Sequence, residues 1–159
     1  MTAATKITTP EMEVALARWF DYRMNLIVPN VYWGFSSDMH ECDLLIVSKA
    51  GYCTEVEIKI TRADLRRDAK KSHGHENKSI KYLYFALPDY LEHCQEFVPE
   101  RAGIILVRPD VPDVWSPRCK RVRQPQCQKH AAKMSDSQRY KVARLGALRI
   151  WNLKEKQNE

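Results

Sequence analysis

Residues 43–60 read "DLLIVSKAGYCTEVEIKI", and no other feature of the chain narrows its fold as much. Apolar side chains recur at a period of two through Leu44 and Ile46, and again through Val56, Ile58 and Ile60. That is the period of a β-strand. The intervening "KAG" suits a three-residue hairpin loop, with Gly51 where a positive φ is needed. With that loop Ser48 pairs with Tyr52, Asp43 stands directly opposite Glu57, and Glu41 stands opposite Lys59. Leu45, Val47, Cys53 and Glu55 share the face of Asp43 and Glu57, while Leu44, Ile46, Val56, Ile58 and Ile60 form a core face. A bulge at the glycine would shift the pairs by one and still leave both carboxylates near the same end of the hairpin.

Like charges opposed across a ladder are destabilising, with Cβ atoms about 5 Å apart. Asp43 and Glu57 therefore call for something positive between them. Mg²⁺ suits the position, because it takes oxygen ligands through one or two carboxylates and completes its shell with waters and phosphate oxygens. Mn²⁺ is expected to substitute. Lys59 projects to the same side, where it can orient or deprotonate a water or stabilise charge building on a phosphate.

The other elements follow from local signals. "TTPEMEVALARWF" predicts a helix capped by Thr9, with Pro10 at its first position and a buried stripe of Met12, Ala15, Leu16, Trp19 and Phe20. An extended segment over 25–35 is broken by Pro29. A basic helix starts at Thr61. Strands follow at "SIKYLYFALP" and "AGIILV", with a short helix "DYLEHCQEF" between them. Residues 109–129 hold four prolines and predict loops with an edge strand or two. Ser135 and Gln138 match a capping box opening a last helix, in which Trp151 is expected to pack. The mixed order predicts one α/β domain over 1–159, a central mixed sheet flanked by helices, with a basic C-terminal extension from about 110.

Charge is uneven. Residues 1–100 carry 12 Lys and Arg against 15 Asp and Glu, a net of −3, whereas 101–159 carry 14 against 5, a net of +9. A basic half of this kind suits a polyanion, DNA first, or is a solvated surface. Arg62, Arg66 and Lys70 recur every four residues and so line one helix face, which can track a phosphate backbone or be a plain exposed face. Arg118, Lys120, Arg121 and Arg123, with Trp115 upstream, can hold the same duplex, stack an unpaired base or form a basic loop. His73 and His75 read as loop residues, and Cys119, Cys127 and His130 lack zinc-site spacing. Tyr82, Tyr84 and Phe85 read as core and sheet surface. No apolar run is long enough for a membrane span, and the first ten residues lack a signal-peptide core, so a cytoplasmic protein with free thiols is expected.

Asp43, followed after the hairpin by Glu57-Ile58-Lys59, resembles the D…(D/E)xK core of the PD-(D/E)XK nuclease superfamily. "EVEIKITRADLRRDAK", "KYLYFALP" and "AGIILV" are similar to its MmcB-like DNA-repair branch, over roughly residues 40–110. The resemblance implies a restriction-endonuclease-like core and Mg²⁺ held by Asp43 and Glu57, with Lys59 assisting water attack on a phosphodiester. It also implies a third acid from the first helix, either Glu13 or Glu11. Such enzymes process DNA in repair or recombination, often as dimers, so a homodimer is one arrangement it allows. His40-Glu41-Cys42 stands where the motif has its proline, and "SHGHENKS" and the region after 110 fit the branch less well. A non-catalytic DNA-binding protein on the same fold, and a purely structural ion-pair cluster such as Glu41 with Lys59, are the alternatives.

Overall fold

The computed structural model describes residues 6–32, 41–70, 77–110 and 118–158. A single six-stranded mixed sheet runs in the order β1 to β6: β1 (Leu26–Val31), β2 (Cys42–Val47), β3 (Cys53–Ile58), β4 (Ile80–Pro88), β5 (Gly103–Val107) and β6 (Cys119–Arg123). Strands β1–β2–β3 form an antiparallel meander, β3–β4–β5 are parallel, and β6 returns antiparallel as an edge. The parallel steps are bridged by α2 (Arg62–Ala69) and by a 3₁₀ helix (Asp89–Phe97). The outer helices are α1 (Thr9–Trp19) and α3 (Asp136–Gln157). The chain therefore has the expected α/β architecture with helices on a mixed sheet.

The hairpin register is the one the loop length implies. Leu44 pairs with Val56, Leu45 with Glu55, Ile46 with Thr54 and Val47 with Cys53. The Gly51 amide donates to the Ser48 carbonyl, and Gly51 takes φ +89°, a conformation that costs a side-chain-bearing residue energy.

Both faces of this hairpin are buried. Leu44, Ile46, Val56 and Ile58 pack with Met12, Ala15 and Leu16 of α1. On the opposite face Leu45, Val47 and Cys53 pack with Val28, Met134 and Val142, so α3 covers that end. Further along the same face Leu83, Phe85 and Leu87 pack with Leu65 of α2 and with Leu91 and Cys94 of the 3₁₀ helix. Glu55 and Glu57 are buried in the sheet whose face carries these two clusters.

Several local expectations need correction. Thr8, one residue before Thr9, caps α1 through a capping box with Glu11. Trp19 is 42% exposed and Trp151 62% exposed, so neither is a packed core residue. Within the basic region after 110, β6 is the expected edge strand and completes the sheet, and α3 lies on β1 with Gly146 close against Val28. Ser135 caps α3 with Gln138, as its spacing indicates. Among the described residues no helix is long and apolar enough to cross a membrane. His73, His75 and Trp115 lie outside the described residues.

Candidate functional site

The β2–β3 ladder ends at Leu44 and Val56, and the next step in register brings Asp43 opposite Glu57. Here the pairing opens. The Ile58 amide donates 2.8 Å to Oδ2 of Asp43, so a carboxylate takes the place of a backbone acceptor. On the other side of β3, the Lys59 amide donates to the Ala86 carbonyl, which anchors the backbone of Lys59 to β4. The Lys59 ammonium donates 2.6 Å to Oε2 of Glu57 and lies 3.4 Å from Oδ1 of Asp68. All three side chains are almost fully buried. A small cleft of about 170 Å³ opens here, lined by Asp43, Ile58, Lys59, Asp64, Arg67 and Asp68.

Electrostatics follow from this crowding. Burial, joined by the Asp43 charge, pushes the Glu57 carboxyl up to about 7, although the Lys59 ammonium pulls the other way. Burial likewise raises Asp43, against the Ile58 amide and Lys59 and with Glu41 and Glu55 adding to the rise. Burial alone would lower the Lys59 ammonium. Glu57, Asp68 and Asp43 outweigh it and hold that pKa above the ordinary lysine value. Lys59 is therefore a cation at neutral pH.

The first helix contributes Glu13 rather than Glu11. Glu11 is engaged by Thr8, whose hydrogen bonds lower its pKa. Glu13 is half-buried; desolvation and then the Asp43 charge raise it, and it accepts a hydrogen bond from the Asn30 side chain. Asn30 lies at φ +51°, flanked by the pairs Pro29–Leu44 and Val31–Cys42, so it sits beside Asp43 on the edge strand. The Arg149 guanidinium of α3 donates 2.6 Å to the Asn30 carbonyl. Glu13 is thus near Asp43 but does not line the cleft. Among the described residues no three His, Cys, Asp or Glu side chains converge as a metal-binding group. Asp43 and Glu57 have the donor chemistry Mg²⁺ uses, carboxylate oxygens that leave the rest of the shell to water and phosphate, though of the two only Asp43 lines the cleft and Oε2 of Glu57 is held by Lys59.

The basic residues are spread out. Arg62 and Arg66 stack over the Phe97 ring at 5.8 and 6.0 Å, on the flank of α2 away from the cleft, and Lys70 is exposed at the helix end. Arg67 is the basic residue of α2 that lines the cleft. Lys120 and Arg121 are exposed on β6, three strands from β3 and so about 14 Å away. Arg118 is mostly buried, bonding the Arg108 carbonyl and facing Asp110 at 3.7 Å. Arg123 acts as a structural clamp. Its guanidinium donates to the carbonyls of Ala102, Val98 and Pro99 at 2.8, 3.3 and 2.6 Å.

Sequence reasoning missed Asp68, Arg67 and Asn30. Asp68 had one visible signal, its place four residues after Asp64 on a helix that follows Lys59 closely. The pairing of Glu41 with Lys59 does not form; the ion pairs of Lys59 run to Glu57 and Asp68.

No family model matches the chain, and no curated protein matches it. A solved protein of unknown function from Silicibacter pomeroyi is similar in structure, with a TM-score of 0.63 and 17% identity, covering 98% of this chain and 97% of its own. That likeness establishes a shared fold.

Proposed function

We propose that the protein is a Mg²⁺-dependent endonuclease that hydrolyses phosphodiester bonds in DNA, on a restriction-endonuclease-like core and in a repair or processing role. One observation carries the reading: Lys59 contacts Glu57 and, with Asp43, lines a cleft at the open end of the β2–β3 hairpin. Asp43 and Glu57 would hold the ion, with Glu13 reaching it through water. When bound, the ion supplies charge neutralisation at the scissile phosphate and a more acidic water.

The chain's own residues define the rest. Lys59 is held as an ammonium by its carboxylate neighbours, so it acts by stabilising negative charge on the phosphate and orienting the attacking water, not by taking its proton. The Ile58 amide fixes Asp43, leaving its rotamer set before substrate arrives. Arg67 at the cleft mouth neutralises a neighbouring phosphate. Arg62, Arg66, Lys70, Lys120 and Arg121 extend the contact along the backbone, away from the reacting bond.

Nicking of supercoiled plasmid and branched DNA tests this. Cleavage in Mg²⁺ or Mn²⁺ that is lost in Asp43→Ala and Glu57→Ala supports the enzyme. No cleavage of any form, together with DNA binding that ignores Mn²⁺, would instead identify a non-catalytic DNA-binding protein.

A further inference from the structure

We propose that Asp68 is a second seat for the Lys59 ammonium, taken up when a divalent cation claims Glu57, so that Lys59 latches the metal position and Asp68 allows the latch to open. The inference rests on the metal-site reading above. Lys59 Nζ lies 2.6 Å from Glu57 Oε2 and 3.4 Å from Asp68 Oδ1, so one ammonium already stands between two acids from different elements. Glu57 belongs to β3 and Asp68 to α2, and the burial of Leu65 fixes the rotation of α2 that brings Asp68 there.

A divalent ion that takes Oε2 of Glu57 competes with the ammonium for that oxygen, because two cations close together in so dry a site repel. An ammonium left there without a partner would be a buried unpaired charge, which is expensive. Asp68 removes that difficulty. Turning about Asp68 Oδ1, Nζ can leave Oε2 while closing to a charge-assisted hydrogen-bond distance of about 2.8 Å from Asp68. Asp68 is then a positioning residue. It acts through Lys59, leaving the ammonium beside the cleft where a phosphate would sit.

Mn²⁺ titration of the full chain by calorimetry, at one fixed pH, tests the hand-over. Lys59→Met removes the competing cation and should bind Mn²⁺ about tenfold tighter than wild type, and Asp68→Asn about tenfold weaker. In the double variant the effect of Asp68→Asn on Mn²⁺ binding should vanish, because a second seat matters only while Lys59 is there to take it. Asp68→Glu, which keeps the second seat, should stay near wild type. The inference is overturned if Asp68→Asn weakens binding equally in the Lys59→Met background, since Asp68 then acts as a plain charge, or if Lys59→Met fails to tighten binding. Should Asp68→Asn fail to fold, the Lys59→Met and Asp68→Glu arms still decide. Absence of Mn²⁺ uptake by wild type sinks the metal-site reading itself, whereas uptake that neither substitution alters sinks only the hand-over.

Discussion

Replacing Glu57 with Gln should make the metal-free protein more stable at pH 8 and flatten its dependence on pH. Glu57 is buried beside Asp43, and its carboxyl is raised from 4.5 to about 7 in the fold. Between those values the native state holds a proton that the unfolded chain has released. Stability is therefore fully present below about pH 4.5 and is lost as pH rises through 7. At 1.36 kcal/mol per pKa unit, the loss is about 3 kcal/mol. For a domain of this size that is roughly 6–12 °C in Tm. Gln cannot ionise, keeps the shape, and can still accept from Lys59. Asp43 and Glu13 are also raised and share the sign, so the informative quantity is wild type minus variant. Urea unfolding of both proteins from pH 4.5 to 8.5, with chelator present, measures it. Parallel curves, with the variant no less pH-dependent than wild type, would refute the claim that burial and Asp43 oppose the Glu57 charge. Saturating Mg²⁺ at pH 8 should stabilise wild type, by about 2.7 kcal/mol at a hundred times Kd, and leave Glu57→Gln almost unmoved.

Arg123→Ala should cost about 2–4 kcal/mol by urea unfolding, because three carbonyls lose a charged donor; loss of DNA affinity at unchanged stability would contradict the clamp. Gly103→Ala should destabilise by about 1–3 kcal/mol, since a Cβ there would come within 2.6 Å of the Tyr84 ring and 2.9 Å of Pro125 Cδ. A thermal melt checks it, and an unchanged Tm would mean the ring yields. Trp151→Ala should change stability by no more than about 0.5 kcal/mol, given its exposure, and a larger loss would show that the residue packs.

The hairpin was legible because strand period and loop length depend only on neighbours in sequence. Alternation told which residues share a face, and "KAG" told which residues oppose each other, so the meeting of Asp43 and Glu57 needed no tertiary information. Helix caps at Thr61 and Ser135 were readable for the same reason. Burial was not: α3 and α2 cover the second face and leave Glu55 and Glu57 dry.

The orientation of α2 shows the limit most clearly. Leu65 is its one large apolar residue, and it alone directs the helix onto the sheet. Arg62 and Arg66 lie about 60–100° to one side of it, and Asp68 and Asp64 lie as far to the other. Sequence leaves those two flanks equivalent. The fold separates them, putting the acids toward Lys59 and the arginines over Phe97. The chain itself specified the paired acids and the lysine, because they are set by spacing along one hairpin. Which helix flank completes the cleft was decided only when α2 docked, because that depends on charges contributed by a different element.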